Sequence, residues 1–91
     1  MSESTMQREV DDRQIQRAQF EELARTKSIR EYIIIKKEGD HFILRAITRN
    51  SNEELELQAV RKGPRTWKRI LTVIEYIESI DKTPINIRIK L

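Results

Sequence analysis

The chain has 91 residues, a formal net charge of +3 and charged side chains at 36% of its positions, which suits one small domain without a second core. The absence of cysteine excludes a disulfide framework and a thiolate zinc site, and the single histidine excludes a multi-histidine metal site. No apolar run reaches the roughly 18–20 residues that span a bilayer, and the N-terminus is polar, so we expect a cytoplasmic protein without membrane contact.

The first predicted element is a helix over residues 5–27. Good helix formers dominate this segment, and neither glycine nor proline interrupts it. Its apolar side chains are sparse, apart from a short stripe near the end formed by Phe20, Leu23 and Ala24. We therefore expect residues 1–14 to be a flexible or partner-bound helical extension, and residues 15–91 to form a single α+β domain.

Three strands are predicted after this helix, at residues 29–37, 41–49 and 54–61. The first two segments are rich in β-branched residues, and the third alternates polar and apolar side chains. Gly39-Asp40 favours a two-residue hairpin turn, and the polar residues 50–53 favour a four-residue turn. The three strands are therefore expected to form an antiparallel meander.

The lengths of the two turns predict which side chains share a face of this sheet. They pair Ile35 with Leu44 and Ala46 with Leu57, and side chains alternate between the faces with a period of two. One face then collects the apolar residues Ile33, Ile35, Phe42, Leu44, Ala46, Leu55, Leu57 and Ala59. The opposite face mixes charged and apolar side chains, so we expect the first helix or a second subunit to cover it. Its candidate interface residues are Tyr32, Ile34, Ile43 and Ile47.

The clearest helix is predicted over residues 64–80, after Gly63-Pro64 ends the third strand. Its apolar side chains recur with helical spacing at Trp67, Ile70, Leu71, Ile74 and Ile77. Residues 85–91 alternate strictly and predict a fourth strand. A right-handed crossover would place this strand beside the first one and parallel to it, with the helix packed on the apolar face. The predicted fold is therefore α+β, in the order helix, three-stranded meander, helix, strand.

Positive charge is concentrated in the last third of the chain, where residues 61–91 hold eight basic and three acidic side chains. Five basic residues fall at the predicted start of the second helix: Arg61, Lys62, Arg65, Lys68 and Arg69. Positive charge at this end of a helix opposes the macrodipole, so helix stability does not explain the cluster. Basic side chains beside the free N–H groups of a helix start suit the phosphates of DNA or RNA. The alternative is a solvated basic helix start that binds nothing.

No catalytic constellation is visible in the sequence. His41 has no second histidine or cysteine with which to share a metal or activate a nucleophile. The neighbouring acidic residues point apart on a helix or strand, and two distant glycines do not make a phosphate-binding loop. We therefore expect no enzymatic activity, no metal and no cofactor.

Two protein families resemble parts of this chain. The predicted order of helix, three strands and helix resembles the double-stranded-RNA-binding domain, whose basic second-helix start contacts phosphates. Arg65, Lys68 and Arg69 hold the corresponding positions here. Residues 63–87, with an aromatic-lysine start to an amphipathic helix and then a strand, are similar to small accessory proteins of plasmids, some associated with partition or replication. The resemblances imply a nucleic-acid-associated accessory role.

Two functions remain open from the sequence. The first is a small non-enzymatic nucleic-acid-binding or regulatory accessory protein, dimeric, whose basic helix start contacts phosphates without reading bases. The second is a protein-interaction module, for homodimerisation or as an adaptor, without affinity for nucleic acid. In this second case the mixed sheet face and the exposed strand edges would carry the contacts.

Overall fold

The computed structural model of the protein describes residues 14–60 and 63–91. Within them the elements are, in chain order, β1 (Gln14–Ile15), α1 (Arg17–Arg25), β2 (Ile29–Lys37), β3 (His41–Thr48), β4 (Glu54–Leu57), α2 (Ile70–Ile80) and β5 (Ile87–Lys90). The strands form one mixed sheet in the order β1-β4-β3-β2-β5, in which β2, β3 and β4 make the predicted antiparallel meander. β5 is parallel to β2 and beside it, in agreement with the predicted crossover, whereas the parallel edge strand β1 was not predicted. The α+β class is therefore confirmed, with one strand more than expected.

The first helix begins later than predicted within the described residues. Gln14 and Ile15 form β1, and the Ile15 carbonyl accepts a hydrogen bond from the Gln58 N–H at 3.0 Å. Ile15 is buried beside Leu57, its partner across the strands, so pairing and burial outweigh the helix propensity of this segment. The rest of the predicted extension, residues 1–13, lies outside the described residues.

The hairpin between β2 and β3 has three loop residues instead of the predicted two. Lys37 pairs with His41 across residues 38–40. Gly39 and Asp40 have positive φ angles of 87° and 57°, in a region that glycine enters freely and aspartate tolerates. The loop is thus one residue longer than the predicted turn.

This extra residue shifts the register of β2 by one position and reverses its two faces. Ile34, not Ile35, pairs with Leu44, and Tyr32 joins Ile34 in the core beneath the helices. The prediction that Tyr32 and Ile34 lie on the mixed face is therefore wrong, and Ile33 takes that position instead.

The register between β3 and β4 differs from the prediction by two residues and leaves the faces unchanged. Ala46 pairs with Leu55 rather than with Leu57. Because side chains alternate with a period of two, both strands still turn their predicted apolar residues toward the helices. On the other face Arg45 lies opposite Glu56, and the Arg45 Nε donates to that carboxylate at 3.0 Å.

The second helix begins at Ile70 rather than at the predicted residue 64. The preceding segment is extended, and the N–H and carbonyl of Trp67 exchange hydrogen bonds of 2.9 and 2.8 Å with Phe42. β4 pairs with β3 only at β3 residues 45–47, so this segment satisfies backbone groups of β3 beyond the end of β4. Strand-like pairing therefore replaces the first turns of the predicted helix.

The core lies between one face of the sheet and the two helices. Its fully buried side chains include Phe20, Ala24, Tyr32, Ile34, Leu44, Ala46, Leu57, Val73 and Ile77. A buried polar contact accompanies them, because the Asp81 carboxylate accepts hydrogen bonds from the Tyr32 hydroxyl at 3.0 Å and from the Lys27 ammonium at 2.5 Å. This contact joins the C-terminal ends of both helices to β2, and it leaves the start of α2 at the opposite end of the sheet.

Candidate nucleic-acid interface

Three of the five basic residues predicted to contact phosphates are described in the structure. Arg65, Lys68 and Arg69 lie in the extended segment that leads into α2. Arg61 and Lys62 lie outside the described residues. The described part of the cluster thus precedes α2 in the chain, but extended backbone carries it in place of the predicted helical turns.

Arg65 is half-buried against two aromatic rings of its own chain. Its guanidinium carbon lies 4.7 Å from the ring centroid of Trp67 and 4.7 Å from that of Tyr76. The two ring centroids are 5.5 Å apart. A cation–π contact is worth about 0.5–2 kcal/mol, depending on how far it is desolvated. Arg65 therefore helps to fix the extended segment against α2, and Trp67 packs against the core as predicted.

A carboxylate of α1 completes this aromatic cluster. Glu21 accepts hydrogen bonds from the Tyr76 hydroxyl at 2.9 Å and from the Arg17 Nε at 2.9 Å. Burial raises the pKa of Glu21, but these hydrogen bonds and the charges of Arg17 and Arg65 outweigh it, so the pKa lies below its usual value. Burial and the hydrogen bond to Glu21 raise the pKa of Tyr76, so its hydroxyl stays a neutral donor. Part of the positive charge of the predicted site is therefore balanced within the chain.

Lys68 and Arg69 are exposed just before the start of α2. Arg69 is the last residue before the helix, with φ −129° and ψ 139°, and the first helical turn holds no acidic residue. Among the described residues, no side chain caps the helix, and neither Lys68 nor Arg69 forms an ion pair. Because the first N–H groups of a helix carry a partial positive charge, this helix start is suited to an anion.

Strand pairing brings further lysines to the same end of the sheet. Trp67 bridges to Phe42, and Phe42 pairs with Lys36 near the end of β2. Ile35 pairs with Lys90, so β2 and β5 end side by side. We call this region the basic end and define it by five exposed residues: Lys36, Lys37, Lys68, Arg69 and Lys90.

The described acidic residues at the basic end balance its charge only in part. They are Glu38 and Asp40 in the hairpin loop, and the Asp40 carboxylate lies 3.9 Å from the Lys36 Nζ. Sequence reasoning missed Lys36, Lys37 and Lys90, because each of them stands apart from the basic cluster along the chain. The predicted place of the last strand beside the first could have revealed Lys90, since it implies that the two strands end together.

The four residues predicted as a protein interface are buried within the single chain. Tyr32 and Ile34 are 0% exposed in the core, and Ile43 and Ile47 are 1% and 8% exposed. The latter two lie on the mixed face, as predicted. The first helix, one of the two covers expected for this face, packs instead on the opposite face through Phe20 and Ala24. Large apolar side chains are exposed elsewhere, at Val60, Leu71, Ile85, Ile89 and Leu91. Three of these belong to the last strand and its flanks, so that region offers a partner protein more apolar surface than the predicted face.

The remaining sequence predictions concerned catalysis, metals and membranes. His41 is the first residue of β3, directly after the hairpin loop. Across residues 14–60 and 63–91, no three histidine, cysteine or carboxylate side chains form a group that could hold a metal ion. No helix in the described part of the chain is long and apolar enough to cross a membrane.

Comparison with known proteins adds no relative to this picture: no protein-family model, curated protein or solved structure matches the chain. The resemblances to double-stranded-RNA-binding domains and to plasmid accessory proteins therefore stay predictions. The first resemblance was based on the order helix, three-stranded meander, helix. The fold adds two edge strands to these elements, β1 before the first helix and β5 after the second.

Proposed function

We propose that this protein is a small non-enzymatic nucleic-acid-binding accessory protein, whose basic end contacts the phosphates of DNA or RNA. The observation that carries the proposal is the uncapped start of α2, with Lys68 and Arg69 exposed before it and lysines of β2 and β5 at the same end. Positively charged side chains at the N-terminal end of a helix, which is the positive end of its dipole, lower the stability of a fold. An anionic ligand would offset this cost, because the basic side chains would bind it together with the helix N–H groups.

Phosphate contacts would provide affinity without sequence specificity. Lysine offers a mobile point charge, whereas the planar guanidinium of Arg69 can bond two phosphate oxygens at once. Trp67 packs with Arg65 and Tyr76, which leaves its ring engaged within the chain rather than stacked on a base. Binding is therefore proposed to follow the nucleic-acid backbone, with little direct reading of base edges. Arg61 and Lys62 remain candidates on their sequence alone.

The test is a titration of duplex DNA, single-stranded DNA and duplex RNA, followed by fluorescence anisotropy at several salt concentrations. Each phosphate contact contributes about 0.9 to the slope of log affinity against log salt on B-form DNA. In the variant Lys68→Ala/Arg69→Ala, the slope should become shallower by about 1.8, because two contacts are lost. The matched control is Arg49→Ala/Lys82→Ala, which removes two exposed basic side chains from the opposite end of the sheet and should keep the wild-type slope.

Two results would contradict this proposal. One is a salt-dependence slope in Lys68→Ala/Arg69→Ala that equals the wild-type slope. The other is a control variant whose slope becomes as shallow as that of Lys68→Ala/Arg69→Ala. No measurable affinity at about 50 mM salt, where electrostatic binding is strong, would favour the alternative function, a homodimerisation or adaptor module without nucleic-acid binding. Circular dichroism of both variants would verify that each one keeps the fold.

A further inference from the structure

β5 lies at the edge of the sheet, and within the described residues its outer side pairs with no strand. On its inner side Tyr32 pairs with Ile87, and the Tyr32 N–H donates to the Asn86 carbonyl at 2.9 Å. In a parallel ladder the backbone groups of alternate residues point to the same side, so those of Ile87 and Ile89 point away from β2. β5 therefore presents a row of free donors and acceptors to another strand.

The side chains along this edge are apolar and exposed. Ile85 is 56% exposed, Ile89 is 43% exposed and Leu91 is 90% exposed. Ile89 pairs with Ile34 of the core, so the apolar side of β5 continues the face that the helices cover. An unpaired edge with exposed apolar side chains is typical of an interaction site.

The sequence of this edge is complementary to itself. Residues 85–91 read Ile-Asn-Ile-Arg-Ile-Lys-Leu, a pattern of apolar and polar residues that is symmetric about Arg88. We propose that a second copy of this chain is the partner, and that the two β5 edges pair antiparallel around Arg88. The apolar pairs across the two copies are then Ile85 with Leu91 and Ile87 with Ile89.

The backbone directions support the same register. The apolar residues of these pairs are the ones whose N–H and carbonyl groups point outward, so each pair can exchange two hydrogen bonds. The two sheets would join into one continuous sheet with the helices of both copies on the same face. A register centred on Ile89 would instead set Arg88 opposite Lys90 twice, which makes two like-charge pairs where the register centred on Arg88 makes one.

The charges on the other face are compatible with pairing around Arg88. Arg88 of one copy would face Arg88 of the second copy, but each Arg88 Nε lies 3.3 Å from the Glu31 carboxylate of its own chain. Glu31 also accepts a hydrogen bond from the Asn86 side-chain amide at 3.0 Å, which fixes the carboxylate beside the strand. Two carboxylates thus offset the repulsion of two guanidinium groups, and Lys90 faces the neutral Asn86.

Sedimentation velocity tests the dimer. At about 100 µM the wild-type chain should sediment as a species with twice the mass of the monomer. Leu91→Lys should weaken the dimer at least about tenfold, since it replaces an apolar pair at the edge by a charge. Val60→Lys is the matched control and should remain dimeric, because Val60 is 98% exposed and follows β4, away from β5. A monomeric wild type, or a Leu91→Lys variant as dimeric as the wild type, would overturn the proposal.

A disulfide cross-link tests the register. The chain has no cysteine, so Arg88→Cys introduces the only thiol. In a dimer centred on this residue the two Arg88 positions form a non-hydrogen-bonded pair, whose Cβ atoms lie about 4.5 Å apart. This is within the reach of a disulfide, so oxidation should trap a covalent dimer. Arg49→Cys, an exposed position in the β3–β4 connection, should give no such product at the same concentration. Equal cross-linking in the two variants would rule out this pairing, whatever the outcome for nucleic-acid binding.

Discussion

At the scale of single residues, Asp81 links three elements inside the core. Its side chain is almost fully buried and accepts hydrogen bonds from the Tyr32 hydroxyl and the Lys27 ammonium. Burial, together with the hydrogen bond to Asp81, raises the pKa of Tyr32 well above its usual value, so the hydroxyl remains a donor. Removing the carboxylate would leave that buried hydroxyl without an acceptor.

We therefore expect Asp81→Ala to lower the free energy of unfolding by about 2–4 kcal/mol. Lys27 is half-exposed and can return to water, so most of the loss should come from Tyr32. Urea denaturation measures this change. Glu75→Ala, an exposed carboxylate on α2, is the control and should change stability by less than about 0.5 kcal/mol. Equal losses in the two variants would show that the Asp81 contact does not stabilise the fold.

Arg65 shows what a local pattern cannot predict about a single side chain. The sequence identifies it as one of five basic residues near a helix start. Its contact with both Trp67 and Tyr76 depends on the extended segment folding back along α2. That path is set by the pairing of Trp67 with Phe42, which is far away in the sequence. The charge of Arg65 was therefore predictable, and its intramolecular contacts were not.

At the scale of elements, loop length decided which parts of the fold could be predicted. The three strands of the meander follow from their composition and alternation. The faces of β2 do not, because Ile33, Ile34 and Ile35 are consecutive and either register buries an isoleucine. Only the length of the hairpin loop selects between the two faces, and one extra residue reverses them. An error of two residues between β3 and β4 had no such effect.

Gly39 is the residue through which this loop can be tested. Its φ is 87°, and a Cβ added there would lie 3.3 Å from the His41 Nδ1. Gly39→Ala should therefore lower the free energy of unfolding by about 1–2 kcal/mol. Asp40 has a positive φ of 57°, which glycine adopts without strain, so Asp40→Gly should change the free energy of unfolding by less than about 1 kcal/mol. Urea denaturation of both variants would contradict the three-residue loop if the aspartate variant were the less stable one.

The start of α2 illustrates competition between two valid patterns. Trp67 fits the helical spacing of the residues that follow it, yet its backbone pairs with Phe42. β4 is short, so the backbone groups of β3 near Phe42 need another partner, and an unpaired buried backbone group is costly. The helix begins only after this pairing with Phe42 ends, at Ile70. Reasoning from one segment at a time cannot detect such a requirement.

At the scale of the whole molecule, the candidate site is a product of sheet topology. The start of α2 supplies Lys68 and Arg69, which the sequence already indicated. The lysines of β2 and β5 join them only because β5 is parallel to β2 and because the segment before α2 pairs with β3. The buried contacts of Asp81 lie at the other end of the sheet, away from the exposed side chains of the basic end.

If the basic end acts as one site, lysines distant from α2 along the chain should contribute to binding as strongly as those beside it. Lys36→Ala/Lys37→Ala on β2 should make the salt dependence of DNA affinity shallower by about 1.8, as expected for Lys68→Ala/Arg69→Ala. Phosphate contacts at separate positions add, so combining all four substitutions should reduce the slope by about 3.6. The measurement uses one duplex, the same series of salt concentrations, and Arg49→Ala/Lys82→Ala as the charge-matched control. A wild-type slope in Lys36→Ala/Lys37→Ala would confine the contacts to the start of α2, and the strand pairing that gathers these lysines would then have no part in binding.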